Sequence, residues 1–530
     1  MKALVTAVVF LAASVLSCSC KGGEPANNER VRFSASSYVR EVERVKDDYA
    51  YPEAGPRTVY SPSLAQRYYR PVRVDYNKKT PDYVDKNGNG FSHYWNEGKA
   101  RIVHYMEGYE PETVTYGKYK TLVNKWGSTL TMPRQEATGR FRTQKIDGRW
   151  WIIDPEGYIH YERGLASFRQ GTSERNKAAF AERFGGDARK WVAVSRREFA
   201  ETGFHSTGAF STGAYEEMIR YNEAHPDEPL ILCPSFAFLT QFKSQNKLAY
   251  PGGNSSYRAG LVFNEAWPAW CREYVRSSAF DPYRNDPNCL GFFSDNEIIF
   301  NSNSIVLLKV YLGLEDENDP ARKAAVDFMK SRGLEPDPAK VTTRLGQEFA
   351  GLCAEEYYKA VRAAVDEYAP GLMYVGSRLN GVPSYIPEVI QAAGRYCDIV
   401  SINYYSRWAP ELDSAVVDWD VWAGKPFMVT EFYTKAVEDS DLSNNSGAGW
   451  CVRTQADRAY WYQHFTLGLL EAKNCIGWTW FKYQDGDSPE ESEPSNKGFY
   501  DNYYNMFPIL GKFAREINFN VYDLIRYFDE

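Results

Sequence analysis

Two glutamates follow apolar runs that read as buried strands. Leu290-Gly291-Phe292-Phe293-Ser294 leads into Asp295-Asn296-Glu297, and Pro426-Phe427-Met428-Val429-Thr430 leads into Glu431. A carboxylate at such a place is costly unless something compensates it. Two carboxylates facing each other across a cleft suit the opening of a glycosidic bond. One acts as acid/base and the other as nucleophile when their carboxyl groups stand about 5–5.5 Å apart. The acid must hold its proton near neutral pH, which half-burial beside a second carboxylate achieves. The nucleophile must stay ionised and therefore needs hydrogen-bond donors. One glutamate alone is better read as a cap on the next helix. The pair, three strand–helix units apart, favours chemistry.

The same strand ends supply partners. Arg378 closes Tyr374-Val375-Gly376-Ser377, and Tyr404 or Tyr405 follows Ile402-Asn403, so Arg378 and either tyrosine are candidate donors to the nucleophile, with Asn403 beside them. Asn296 is placed to bond a sugar 2-hydroxyl, an interaction that strengthens in the transition state. His205 either binds a sugar hydroxyl or pairs within its loop, and Arg163 makes either a sugar or nucleophile contact or an ion pair. Trp480, with Trp408 or Trp450, is a candidate stacking platform, whereas Trp478 reads as core.

The elements that must position these residues are legible from about residue 141 onward. A hairpin is expected at Trp150–Ile153 and Tyr158–Tyr161 around Asp154-Pro155-Glu156-Gly157. Eight strand-like runs follow: 161–167, 205–210, 230–236, 290–294, 373–377, 398–404, 426–430 and 475–481. Helical patterns separate them, at 187–202, 354–368, 387–396 and 456–472 among others, and Pro370-Gly371 is a helix stop. Near-continuous apolar strands alternating with helices mean a parallel sheet buried on both faces. Eight such units close into an α/β fold of the (β/α)₈ TIM barrel type, whose active residues sit where strands end. A doubly wound open sheet is the rival, weakened because no Gly-rich loop follows the first strand.

The rest of the chain sets limits. A net charge of −7 over 530 residues argues against a nucleic-acid binder, which normally carries a basic stripe. The six His show no metal-ligand spacing, so no zinc site is expected, and the two-carboxylate chemistry requires no cofactor. Aromatic residues make up 15% of the chain, which suits either a large core or faces that stack on sugar rings. Residues 33–140 read as a small β-rich accessory region. Within it, Asp85-Lys86-Asn87-Gly88-Asn89-Gly90 imitates a calcium loop but reads better as an Asn-Gly turn. At the N-terminus, Lys2 and the apolar run Ala3–Leu16 suit a secretory signal over residues 1–20. Val15-Leu16-Ser17-Cys18 resembles a bacterial lipobox, which makes Cys18 the candidate lipidated residue, with Cys20 as competitor and an ordinary cleaved signal as the alternative. Residues 21–32 read as a polar tether to a membrane. The remaining seven Cys have no regular spacing and read mostly as buried thiols. The acidic stretch 485–493 reads as a solvated loop rather than a metal site.

Asn296-Glu297 at the fourth strand and Glu431 at the seventh resemble the signature of clan A of the glycoside hydrolases. The resemblance implies that Glu297 is the acid/base and Glu431 the nucleophile. More narrowly, Gly291–Glu297 is similar to the strand-four segment of the family 50 β-agarases. So are the hairpin at 151–157, Tyr374–Arg378, Cys397–Tyr405 and Gly477–Asp485, over roughly residues 141 to 510. The chain departs from that pattern at His205-Ser206, where the family often has Asn-Ser, and at Tyr161-Glu162-Arg163-Gly164, where Phe-Phe-Ser is typical. Its N-terminal region is also shorter than the family's β-sandwich. The resemblance implies a retaining hydrolase of β-galactosidic links in agarose or a related algal galactan, and the N-terminal signal makes it an exported one. The alternatives are a β-galactosidase or another β-glycanase and, from a different class, a surface glycan-binding lipoprotein.

Overall fold

The computed structural model describes residues 115–530, apart from 212, 406, 437–441, 443–447, 453 and 488–493, together with four strands between 67 and 106. The signal, Cys18, the tether and the calcium-like run at 85–89 lie outside the described residues. Strand β1 (Arg67–Arg73) pairs antiparallel with β4 (Ala100–Met106), and β2 (Tyr83–Val84) with β3 (Gly90–Phe91). Tyr105 packs edge-on against Tyr460, so β4 lies against the helix Gln455–Glu471.

A three-stranded antiparallel sheet follows, of β5 (Arg142–Ile146), β6 (Arg149–Ile153) and β7 (Ile159–His160). The expected hairpin is its second half. The first half turns at Asp147-Gly148, both at positive φ, the conformation of a two-residue turn that matches strand twist.

The body is an α/β fold around a parallel sheet. Its strands are β8 (Glu162–Leu165), β9 (Ser206–Thr207), β10 (Ile231–Leu232), β11 (Leu379–Asn380), β12 (Val400–Asn403), β13 (Phe427–Glu431) and β16 (Cys475–Trp480). They are ordered β10-β9-β8-β16-β13-β12-β11. A separate parallel pair, β14 (Thr434–Ala436) and β15 (Trp450–Val452), stands beyond the end of β13. The expected fourth strand is not a continuous ladder. Instead, residues 289–293 make isolated parallel bridges on both sides: Leu232 with Cys289, Ser235 with Phe293, and Phe292 with Tyr374.

Helices form where the sequence marks them. Asp187 caps Ala188–Glu201 by accepting from the Arg189 and Lys190 amides, and Thr454 with Asp457 forms a capping box at Gln455–Glu471. That last helix is buried along most of its length, because it lies between the strands and the helix Pro508–Phe519. Ala209, Ile231, Cys233, Leu290, Met373, Val375, Ile399, Met428 and Ile476 gather in one apolar cluster with Trp126, Phe141 and Ile152. A larger cluster lies between strands and helices. All seven cysteines from Cys233 to Cys475 are buried, none in a disulfide among the described residues. No helix among the described residues is long and apolar enough to cross a membrane.

Candidate active site

Register brings the site together. Asn380 of β11 lies beside Asn403 of β12, and Asn403 beside Glu431 of β13, across a bulge between Ile402 and Asn403. These three polar residues stand at the C-terminal ends of adjacent parallel strands, so their side chains share one rim. Glu297 reaches the same rim from the segment after Phe293. Its backbone is left-handed (φ 50°), its N–H donates to the Ser377 carbonyl at 3.1 Å, and its own carbonyl accepts from Arg258 Nη2 at 2.9 Å. Arg258 also donates to the Asn296 carbonyl at 2.7 Å.

Glu297 Oε1 accepts from Asn403 Nδ2 at 2.8 Å and Asn380 Nδ2 at 3.1 Å. Asn403 also lies 3.4 Å from Asn296 Oδ1 and accepts the Thr430 hydroxyl at 2.8 Å. Glu431 is buried. Its Oε1 accepts from Arg378 Nη2, and its Oε2 accepts the Tyr405 hydroxyl at 2.5 Å. Arg378 is wholly buried, left-handed (φ 57°), and stands over the rings of Phe210 and Phe293, 4.8 and 5.1 Å from their centroids. Its backbone N–H donates to Ser401 Oγ.

Burial pushes the Glu431 carboxyl up to about 7; Arg378 pulls it down, nearby Glu297 pushes it further up, and Tyr405 and Lys497 pull it down. Burial and Glu431 raise the Tyr405 phenol well above its ordinary range, so it stays a donor. Beneath the acidic segment, Asp295 accepts from the Tyr357 hydroxyl at 2.6 Å and the Leu239 amide at 3.1 Å; burial raises it to about 7.

Glu297, Glu431, Asn296, Arg378, Asn403 and Tyr405 are thus brought together, and five other expected residues are not. Arg163 is wholly buried near the N-terminal end of β8, donating to the carbonyls of Asn518 and Gly127 at 2.8 Å each. His205 precedes β9, and its Nε2 lies 3.0 Å from the Tyr119 hydroxyl. Both belong to the opposite ends of their strands. Tyr404, pointing away from Tyr405, bonds Glu411 and packs on Trp419 and Phe465. Trp408 is buried against Trp450, Trp461 and His464. Trp480 is wholly buried against Phe432 and Trp461, with Nε1 on the Lys497 carbonyl at 2.9 Å. Residues two apart in a strand share a face, so Trp478 and Trp480 both pack on Tyr462.

Sequence reasoning missed Asn380 and Arg258. Alternation places Asn380 on the same face as Arg378, and that was the available signal. Arg258 sits in a 3₁₀ segment, Ser255–Phe263, with no motif to mark it. A cavity of about 350 Å³ beside Trp150, Leu412, Val416 and Asn474 lies at the N-terminal side of β16 and contains none of these groups.

The strand ends of the parallel sheet thus present two carboxylates in one network of amide, guanidinium and phenol donors. No family model matches the sequence. The chain is 44% identical to the protein of the crystal structure of BpGH50, with a TM-score of 0.78, covering 88% of this chain and 97% of that one. An exo-β-agarase structure shares the fold at TM-score 0.63 and 20% identity, over 76% of this chain and 68% of that one. Beta-agarase B of Vibrio sp. (strain JT0107) is 21% identical over 76% of this chain, which spans 50% of that relative's length. The chain belongs to family 50 of the glycoside hydrolases.

Proposed function

We propose that this protein is a retaining glycoside hydrolase that cleaves β-galactosidic links in agarose or a related algal galactan. Glu431 is the nucleophile and Glu297 the acid/base. The observation that carries the reading is the different dress of the two carboxyls. Glu431 has a guanidinium on one oxygen and a phenol on the other, donors that hold an anion. Glu297 has neutral amide donors on one oxygen only. Glu431 attacks the anomeric carbon while Glu297 protonates the departing oxygen; water, deprotonated by Glu297, then releases the sugar. Asn296 bonds the 2-hydroxyl. The agarase names of the fold relatives support the sugar class.

The scaffold of this reading is a closed (β/α)₈ barrel over residues 141–530, with 33–140 as an accessory region. Residues 289–293 are its fourth strand. Their bridges to Leu232 of β10 on one side and to Tyr374, in the segment before β11, on the other support this closure, as does the cluster around Ile231, Leu290, Met428 and Ile476, which would fill the barrel's interior. Export rests on the sequence: Cys18 is lipidated and tethers the enzyme where polymer is cut. Loss of radiolabelled palmitate from Cys18→Ser checks this, and retention of label overturns it.

The principal test incubates the soluble protein with agarose, porphyran and β-galactan oligosaccharides and identifies the released ends. Glu297→Gln is expected to lower turnover by about 10²–10⁴-fold, the usual worth of general acid–base catalysis. Glu431→Gln is expected to abolish turnover while leaving binding. Undiminished turnover in Glu431→Gln, or no wild-type turnover of any glycan, refutes the assignment.

A further inference from the structure

The two donors on Glu297 converge on the same oxygen. Asn380 Nδ2 and Asn403 Nδ2, from neighbouring strands, both point at Oε1. The direction of Asn403 is fixed from behind, because its Oδ1 accepts the Thr430 hydroxyl and only its NH₂ end faces the glutamate. Thr430 immediately precedes Glu431, so a chain of hydrogen bonds from the strand of one carboxylate ends on the other. No hydrogen bond to Oε2 of Glu297 is formed among the described residues.

In a protonated carboxyl the two oxygens are unequal: one is a carbonyl acceptor and the other carries the O–H donor. Two N–H donors on Oε1 select it as the carbonyl oxygen. We propose that Asn380, acting with Asn403, is a positioning residue that assigns the acid proton of Glu297 to Oε2 and aims it at the glycosidic oxygen. The proposal rests on the acid/base role of Glu297 given above. In the first step the proton leaves Oε2 for the glycosidic oxygen, which keeps the electron pair of the breaking C–O bond as the bond from Glu431 to the anomeric carbon forms. In the second, Oε2 takes a proton from water while the water oxygen bonds to that carbon and Glu431 departs with its electron pair. Oε1 keeps the same two partners throughout, so neither amide has to turn between steps, which is what preorganisation requires.

The test compares two substrates in the wild type, Asn380→Ala and Asn380→Leu: a galactan oligosaccharide, and the 2,4-dinitrophenyl β-glycoside of the enzyme's own product. The oligosaccharide needs its leaving oxygen protonated; the dinitrophenolate does not. In both variants kcat/KM on the oligosaccharide should fall by about 10²-fold, part of the general-acid contribution, with kcat/KM on the aryl glycoside nearly unchanged and kcat on it restored by azide. Equal losses on both substrates, or no loss on the oligosaccharide, overturn the positioning role. Thermal melting of both variants accompanies the kinetics; if Asn380→Ala does not fold, Asn380→Leu, which keeps the side-chain volume, carries the comparison. A wild type inactive on every glycan would instead overturn the acid/base reading, and Glu297→Ala supplies the pattern of an absent acid.

Discussion

Glu431 is held between opposing effects, and the balance is adjustable one atom at a time. Burial raises its carboxyl to about 7, while Arg378, Tyr405 and Lys497 pull down. In the proposed role of nucleophile Glu431 works only when ionised, so kcat/KM is expected to fall as pH drops through that value, giving an acidic limb near 7. Removing the Tyr405 hydroxyl takes away a stabiliser of the anion. Tyr405→Phe should therefore move the limb to higher pH and cut kcat/KM most steeply on the acid side. A kcat/KM profile from pH 5 to 9 reads this directly, and an unmoved limb would contradict the role given to Tyr405. Tyr404 offers the contrast at the same scale: its hydroxyl bonds Glu411 rather than Glu431, and its ring sits in the helix layer. Tyr404→Phe should leave the limb in place.

At the scale of the element, the sequence revealed which segments form strands but not which end or face of each is functional. A parallel strand buried on both sides has no polar alternation to report its inward face, so Tyr404 and Tyr405 look alike until the structure separates them. Six of the eight expected runs hold ladder strands, whereas 290–294 and 373–377 make isolated bridges and β11 begins beyond the second; of the two readings of His205, the structure shows the pairing one, with Tyr119. His205 enters the strand, and Phe210 is the residue that leaves it. Four of the residues at positive φ lie next to the strands and bridged run that carry the site. Ser167 and Phe210, just beyond β8 and β9, Glu297, beyond the bridged run 289–293, and Arg378, immediately before β11, are all left-handed non-glycine residues, and such strain concentrates where a site demands it. At the other end, Arg163, His205 and Gly127 form a strut. A Cβ added at Gly127 would lie 2.3 Å from the His205 ring, on a backbone at φ +77°. Arg163→Met leaves the Gly127 and Asn518 carbonyls without their charged donor. It should cost about 3 kcal/mol of stability, the order of two hydrogen bonds to a charged group, with KM unaltered in the folded fraction. Denaturant unfolding and steady-state kinetics on one preparation check both halves; a changed KM would return Arg163 to the substrate site.

Over the whole molecule, catalytic poise and stability draw on the same store of buried charge. Asp295, Glu431 and Asp485 are all buried and all raised to about 7 by that burial. Only one of the three is assigned to the chemistry. Asp295 braces the segment before Glu297 through Tyr357 and Leu239, and Asp485 holds the Gly498 amide and Asn496 beyond β16. In the unfolded chain such groups titrate near 4. Between about pH 4 and 7 the folded state therefore binds more protons than the unfolded one, and the linked stability falls as pH rises through that window. The sign is opposite to that of carboxylates in surface ion pairs such as Glu174 with Lys177, whose carboxyl is lowered. Asp295→Asn keeps the shape and an acceptor for Tyr357 while removing the titration. Calorimetric melting from pH 5 to 8 should show a shallower decline in this variant than in the wild type, the two curves diverging toward high pH in the variant's favour. Parallel curves would mean that Asp295 is ionised throughout and that Tyr357 and the Leu239 amide outweigh its burial.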